Sequence, residues 1–187
     1  MKILIVGGGG REHALAWKAA QSKRVRQVFV APGNAGTEQE DKLINIEIAA
    51  EDIDALLEFA LKEDIDLTIV GPEAPLVNGI VDRFKQSGMR IFGPSAAAAK
   101  LEGSKTFSKD FLARHQIPTA AYQSFTEIET AIDYVKAQGT PIVVKADGLA
   151  AGKGVILAGT EAQAIDAIKD MLEGNAFGEA GHRVVIE

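Results

Sequence analysis

Two lysines in a glycine-rich stretch near residue 150 have the residue types and spacing of a phosphate-binding loop. Lys145 closes an apolar run, and it is followed by Gly148, Gly152, Lys153 and Gly154 before the chain becomes apolar again. Glycine lets backbone N–H groups approach anionic oxygens closely, and the ammonium groups supply positive charge. We therefore predict a strand, a phosphate-binding loop and a second strand.

This loop differs from the Walker loop of many nucleotide-binding proteins. That loop has four residues between its glycines and continues as Gly-Lys-Ser/Thr, whereas three residues separate Gly148 from Gly152 and Gly154 stands where the Mg²⁺-binding hydroxyl would be. The stretch also leads into a β-rich run and not into a helix. A bound nucleotide is therefore expected between strand and loop.

Two lysine positions call for a negatively charged partner. Lys105 follows Ser104 at a predicted helix start, where a cation opposes the helix dipole, although a solvated lysine is the alternative. Lys145 ends a strand that is expected to be buried, and a buried ammonium group must be paired. A phosphate or the nearby Asp147 could pair it.

The four glycines Gly7–Gly10 precede a predicted helix, an arrangement that invites comparison with the dinucleotide-binding fingerprint. That fingerprint needs a small residue where Glu12 or His13 stands, and the second strand lacks the acidic residue that binds ribose. A nicotinamide oxidoreductase is thus disfavoured. The turn still suits a phosphate monoester, with Arg11 as a bidentate partner, while a simple tight turn is the alternative.

Two further turns follow predicted strands. Asn34, Gly36 and Thr37 could bind a sugar or phosphate or could form a plain turn, and Glu73 could hold a ribose hydroxyl or an amine or could face solvent. Parallel strands place such turns at one edge of a sheet, where ligands bind in open α/β folds.

Hydrophobic periodicity predicts an α/β fold with two regions that differ in the order of their strands and helices. Strands and helices alternate over residues 1–100, which indicates a parallel sheet. A helix from Ser104 to about His115 follows, and from Thr126 the order helix, strand, strand, helix, strand indicates a small sheet covered by helices. In residues 1–100 the expected elements are strands at 3–6, 25–30, 43–46, 67–70 and 90–92 and helices at 11–21, 52–62, 77–86 and 96–101. After Thr126 the expected elements include a helix at 161–172 and a strand at 184–187.

Bulk properties restrict the class of protein. The chain has 187 residues, a net charge of −6 and no cysteine, so disulfides, cysteine nucleophiles and thiolate metal sites are excluded and a nucleic-acid surface is disfavoured. The three histidines lack metal-ligand spacing. No apolar run has the length of a signal peptide core or a membrane span, so a soluble cytoplasmic protein without membrane or nucleic-acid partners is expected.

Together, these motifs closely resemble the phosphoribosylamine–glycine ligase family, also called glycinamide ribonucleotide synthetases, of the ATP-grasp superfamily. The most specific stretches are 70–76, Val-Gly-Pro-Glu-Ala-Pro-Leu, and 143–155, Val-Val-Lys-Ala-Asp-Gly-Leu-Ala-Ala-Gly-Lys-Gly-Val. The resemblance runs over the whole chain in the correct order. It implies an N-terminal parallel-sheet, Rossmann-like pre-ATP-grasp domain (1–102), linking helices (103–122) and an incomplete small α+β ATP-grasp lid subdomain (123–187).

The resemblance also implies roles for individual residues. ATP would be bound by Lys105, Lys145, Gly148, Gly152, Lys153, Gly154 and Glu187, the last of which would begin the hinge that meets adenine. The phosphoribosylamine side would be lined by Gly9, Gly10, Arg11, Asn34, Gly36, Thr37, Glu73, Pro75 and Leu76. Mg²⁺ or Mn²⁺ would accompany ATP, with its ligands and the catalytic groups expected beyond residue 187.

The implied reaction joins glycine to 5-phosphoribosylamine through glycyl phosphate in purine biosynthesis, forming glycinamide ribonucleotide, ADP and phosphate. Because the family's enzymes are longer, we expect a truncated chain that is inactive alone, with a natural end on an edge strand as the alternative. A monomer is favoured. The rival functions are a non-catalytic module that binds a nucleotide or sugar phosphate together with another chain, or another ATP-grasp carboxylate–amine ligase.

Overall fold

A computed structural model describes residues 1–150, 154–173 and 181–187. The chain divides into two compact units, Met1–Ala99 and Lys100–Glu187. The strands are β1 (Lys2–Gly7), β2 (Gln27–Pro32), β3 (Leu43–Asn45), β4 (Leu67–Val70), β5 (Ile91–Phe92), β6 (Gln123–Phe125), β7 (Ile142–Ala146), β8 (Val155–Ala158) and β9 (Val184–Ile186). The helices are α1 (Gly10–Ala20), α2 (Ile53–Lys62), α3 (Glu73–Val77), α4 (Ile80–Gln86), α5 (Ala96–Gly103), α6 (Lys105–Arg114), α7 (Ile128–Gln138) and α8 (Glu161–Leu172), and a short 3₁₀ helix spans Thr37–Gln39.

The first unit contains a five-stranded sheet in the order β3-β2-β1-β4-β5, in which every neighbouring pair is parallel. Central β1 is buried on both faces: Leu4 and Val6 pack into one hydrophobic cluster, while Ile3 and Ile5 pack into the other. Burial on both faces explains why the strand is continuously apolar. The predicted parallel sheet is confirmed.

The order of the strands reverses beside β1. The chain adds β2 and β3 on one side of β1 and then returns to place β4 and β5 on the other side. In open α/β sheets such a reversal opens a crevice at the carboxyl ends of the strands. The turns after β1, β2 and β4 all leave from that edge.

One predicted helix of the first unit was wrong in its bounds. Instead of a single helix over 77–86, the structure has α3 and α4, separated at Gly79, which has a φ of +89°. The proline-rich stretch was interpreted as a turn, yet Pro72 precedes α3 and Pro75 lies in its first turn. Proline is tolerated there because the first helical N–H groups have no partner within the helix.

The second unit contains a four-stranded antiparallel sheet in the order β6-β9-β7-β8. Along β7, Ile142, Val144 and Ala146 are buried in a cluster with residues of α7 and α8. Val143 and Lys145 alternate with them and therefore lie on the other face of the sheet. Helix α8 has the predicted bounds, whereas β6 was missed because three residues with one buried apolar side chain give no period.

Among the residues that the structure describes, no helix is both long and apolar enough to cross a membrane.

Candidate active site

A cluster of lysines lies on the second unit. The carboxylate of Glu187 contacts the Nζ atoms of both Lys145 and Lys109. Burial lowers the pKa of the Lys145 ammonium group, and the positive charges of Lys109 and Lys105 lower it further. The sequence interpretation missed Lys109. Its signal was its position four residues after Lys105 on one helix, a spacing that places both side chains on the same face.

Lys105 is tied to the start of the glycine-rich loop. Its Nζ donates a hydrogen bond to the carbonyl oxygen of Gly148 at 3.0 Å, and its backbone N–H donates to the carbonyl oxygen of Asp147 at 3.0 Å. Burial lowers the pKa of the Lys105 ammonium, while Asp147 and Glu102 act in the opposite direction. A phosphate placed beside this partly buried lysine would stabilise its ammonium form.

Asp147 places its carboxylate at the beginning of α6. Its carboxylate accepts a hydrogen bond from the backbone N–H of Thr106 at 2.6 Å and lies 3.2 Å from the hydroxyl of Ser104. Ser104 also caps the helix, because its Oγ accepts the N–H of Phe107. Glu187, and not Asp147, is the carboxylate that meets Lys145.

The two ends of the loop are defined by backbone contacts. Gly154 is buried, and its carbonyl oxygen accepts the N–H of Ala146 at 2.8 Å. A Cβ atom at position 154 would lie 2.7 Å from the Cβ of Ala150, so the close packing requires glycine. Gly152 and Lys153, which were predicted to bind ATP, lie outside the described residues.

In the first unit, the three predicted turns meet at one edge of the sheet. Gly33 N–H donates to the carbonyl oxygen of Gly7 at 3.3 Å, and Asn34 Nδ2 donates to that of Gly8 at 2.9 Å. Across β1, the N–H of Gly71 donates to the carbonyl oxygen of Val6 at 3.0 Å. Parallel pairing therefore brings these turns together, as expected.

The side chains of Asn34 and Thr37 mainly build their own turn. Asn34 Oδ1 accepts the N–H groups of Gly36 and Thr37 at 2.7 and 3.0 Å. The buried hydroxyl of Thr37 accepts the N–H of Asn34 at 2.8 Å and lies 2.6 Å from Oδ1 of Asn45. Asn45, a residue that the sequence interpretation missed, also donates from Nδ2 to the carbonyl oxygen of Asn34 at 2.8 Å.

Glu12 lies beneath the glycine turn, with only 4% of its surface exposed. One carboxylate oxygen accepts the N–H of Gly9 at 2.8 Å, and the other accepts Nε of Arg11 at 2.9 Å. A Cβ atom at Gly71 would lie 2.1 Å from Glu12 Oε1, so the carboxylate fills the space that this glycine leaves. The signal in the sequence was a glutamate three residues after a helix cap.

Arg11 also reaches the turn after β4. Its Nη1 lies 3.2 Å from Oε1 of Glu73. A backbone hydrogen bond at Glu73, together with Arg11, lowers the pKa of the Glu73 carboxyl group although partial burial acts in the opposite direction. Glu73 is therefore ionised at neutral pH.

The remaining residues predicted on the substrate side differ in their surroundings. Gly10 begins α1, and a Cβ atom there would meet nothing within 4 Å. Pro75 is buried and Leu76 packs against the hydrophobic cluster that contains Leu4. Their assignment to substrate binding stays a prediction.

Within residues 1–150, 154–173 and 181–187, no three side chains of His, Cys, Asp or Glu come together as a possible metal site.

Comparison with known proteins identifies the family. Residues 1–102 match the family model "Phosphoribosylglycinamide synthetase, N domain", and residues 103–187 match "Phosphoribosylglycinamide synthetase, ATP-grasp (A) domain". The chain belongs to the phosphoribosylglycinamide synthetase family. The resemblance seen in the sequence motifs is thereby confirmed, as is the ATP-grasp fold class.

Curated relatives from the phosphoribosylglycinamide synthetase family are similar over the whole chain. Phosphoribosylamine–glycine ligase of Escherichia coli (strain K12) is 67% identical over 187 residues, which are 100% of this chain and 44% of the relative. The ligase of Haemophilus influenzae is 68% identical with the same coverage. The chain thus spans less than half the length of these relatives.

A solved structure supports the same assignment. The crystal structure of phosphoribosylamine–glycine ligase from Thermotoga maritima matches with a TM-score of 0.79 and 29% identity. The match covers 100% of this chain and 43% of that chain.

Proposed function

We propose that this chain takes part in the ATP-dependent ligation of glycine to 5-phosphoribosylamine, which yields glycinamide ribonucleotide, ADP and phosphate. The glycine carboxylate attacks the γ-phosphorus of ATP, the bond to the β-phosphate oxygen breaks, and glycyl phosphate and ADP form. The amine of phosphoribosylamine then attacks the acyl carbon, loses a proton and displaces phosphate. The substrates are small molecules, and the expected setting is the cytoplasm.

The single observation that carries this proposal is the convergence of Lys105, Lys109 and Lys145 in a unit that matches the ATP-grasp domain. Lys109 and Lys145 contact the carboxylate of Glu187, and the Nζ of Lys105 donates to the carbonyl oxygen of Gly148. These three ammonium groups outnumber the one carboxylate that pairs two of them, which leaves positive charge for a polyphosphate. Lys145 on β7 and Lys105 on α6 are proposed to contact the phosphates. Gly148–Gly154 would cover them, and Glu187 would lie beside the nucleotide.

Phosphoryl transfer depends on neutralising the charge of the moving group and on keeping water from the acyl phosphate. The lysines serve the first requirement and the glycine-rich loop serves the second. A divalent cation would add charge neutralisation to the phosphates. No step is assigned to it, because the described residues contain no group of three His, Cys, Asp or Glu side chains that could hold it.

The proposal is tested with the complete enzyme, since the chain spans 44% of the length of its curated relatives. ADP formation should require both glycine and phosphoribosylamine and should equal the amide product in amount. Omission of either substrate should stop product formation. Equal ADP formation without the amine, or ligation of a different acid and amine at higher efficiency, would contradict it.

The lowered pKa of Lys105 predicts proton uptake when ATP binds at alkaline pH. Only the ammonium form binds phosphate well, so a fraction that is neutral in the free protein must gain a proton from buffer. Affinity should accordingly fall as pH rises toward the ordinary lysine value of 10.5, and the fall should begin below it. Calorimetry in two buffers of different ionisation enthalpy measures the uptake.

Lys105→Arg is the matched control, because a guanidinium keeps its charge throughout this range. It should bind ATP with less proton uptake than the wild type. Equal uptake in both proteins would show that Lys105 is not the group that titrates.

A further inference from the structure

Lys109 on α6 has an ammonium group whose hydrogen-bonding capacity is already used by the protein. Its Nζ contacts the carboxylate of Glu187, donates to Oγ1 of Thr119 at 2.8 Å and donates to the carbonyl oxygen of Ala120 at 3.4 Å. The ring centroid of Tyr122 lies 5.6 Å from the same nitrogen, within the range of a cation–π contact. Because an ammonium group has three donors, Lys109 is a fixed cation with no donor left for a phosphate.

Lys145 on β7 differs from Lys109 in both respects. Within the part of the chain that the structure describes, the carboxylate of Glu187 is its only ion-pair partner. The side chain of Lys145 is 26% exposed, against 13% for that of Lys109. Lys145 can therefore turn its ammonium group toward a ligand, whereas Lys109 cannot.

Glu187 joins the two lysines through its two carboxylate oxygens. Oε2 faces Lys109, Oε1 faces Lys145, and only 9% of the Glu187 side chain is exposed. Its backbone is held in place by Val143, whose N–H donates to the carbonyl oxygen of Glu187 at 2.7 Å and whose carbonyl oxygen accepts its N–H at 3.0 Å. A buried carboxylate needs a cationic partner. When Lys145 turns away, Lys109 is the cation that remains beside it.

We propose that Lys109 is a positioning residue that retains the carboxylate of Glu187 while Lys145 binds a nucleotide phosphate. Without Lys109, the carboxylate and the phosphate would compete for the same ammonium group. The inference rests on the proposed function, in which Lys145 contacts phosphate. It assigns a role in nucleotide binding to a side chain that does not itself touch the nucleotide.

The direct effect of Lys109 on Lys145 has the opposite sign. The positive charge of Lys109 lowers the pKa of Lys145. Lys109→Met would therefore favour the ammonium form of Lys145, which is the form that binds phosphate. A loss of ATP affinity in this variant would have to come from the released Glu187 or from the charge that Lys109 presents to the phosphate.

A double-mutant cycle in the complete enzyme separates these two causes. Lys109→Met should weaken ATP binding, measured by calorimetry, by about 5- to 50-fold, because Glu187 then holds Lys145. In a Glu187→Gln background no carboxylate competes, and the same change should alter the affinity by less than about threefold. Lys136→Met is the matched control, since Lys136 is exposed on α7 of the same unit, and it should leave the affinity near that of the wild type.

Three results would overturn the proposed role of Lys109. An equal loss in both backgrounds would show that its charge acts on the nucleotide directly. Unchanged ATP affinity in Lys109→Met would show that Glu187 needs no second cation. A lowered unfolding midpoint together with a loss that Glu187→Gln does not rescue would show that Lys109 only supports the fold.

A crystal structure decides the question if Lys109→Met does not fold. In the complete wild-type enzyme with a non-hydrolysable ATP analogue, Nζ of Lys145 should lie within about 3.2 Å of a phosphate oxygen, and Lys109 should still contact Glu187. Lys109 on a phosphate, or Lys145 still on Glu187, would contradict the proposal. A wild-type enzyme that binds no ATP would instead overturn the proposed function, so the two failures are distinguishable.

Discussion

Replacement of both Lys105 and Lys145 by methionine is expected to weaken ATP binding by roughly 100- to 10,000-fold. Hydrogen bonds to charged groups contribute about 1.5–3 kcal/mol each, and two such groups are lost. Methionine keeps most of the unbranched apolar stem, so packing changes little. The measurement is isothermal titration calorimetry of the complete enzyme with ATP.

Lys136→Met with Lys169→Met is the matched control for this experiment. Both lysines are exposed on helices of the second unit, α7 and α8, and the double substitution removes the same total charge. Its ATP affinity should remain near that of the wild type. Undiminished ATP binding after the change at positions 105 and 145 would remove the basis of the proposed nucleotide site.

Phe84→Ala is expected to lower the free energy of unfolding of the first unit by about 3–5 kcal/mol. Among the residues that the structure describes, Phe84 is the largest fully buried side chain, and it packs in the cluster that contains Leu4, Val6 and Val70. Its removal deletes apolar contacts and leaves a cavity in a tightly packed interior. Urea unfolding followed by the fluorescence of Trp17, the chain's single tryptophan, reports on this unit.

The control for this substitution is Phe92→Ala. Phe92 has the same side chain and lies in the same unit, but 70% of its surface is exposed. Its unfolding midpoint should therefore move by a small fraction of the shift seen for Phe84→Ala. Similar shifts for the two variants would contradict the assigned core.

Sequence patterns predicted the elements whose packing is repetitive. The continuously apolar β1 and the regular helical face of α8 were identified because burial on both faces or on one stripe leaves a strong period. Pro72 and Pro75 concealed α3, because the same residues are acceptable in a turn and in the first turn of a helix. Short β6 had too few buried positions to show a period.

The candidate site was predicted at the level of its turns and not of its contacts. Glycine-rich segments indicated where the backbone turns, but Glu12 was interpreted only as an obstacle to dinucleotide binding. Its contacts with Gly9 and Arg11 follow from helix capping and burial, which emerge once α1 is placed against β1. Likewise, the contact of Glu187 with Lys109 and Lys145 joins residues that are far apart in the chain.

The parallel sheet of the first unit has a practical consequence for labelling. The three turns that are proposed to bind substrate leave the carboxyl ends of β1, β2 and β4, whereas the connection from α1 to β2 lies at the opposite rim. Lys23 is exposed in that connection, and the chain contains no cysteine. A Lys23→Cys substitution thus offers one thiol for a fluorophore or a surface tether, remote from the rim where the small molecules are proposed to enter.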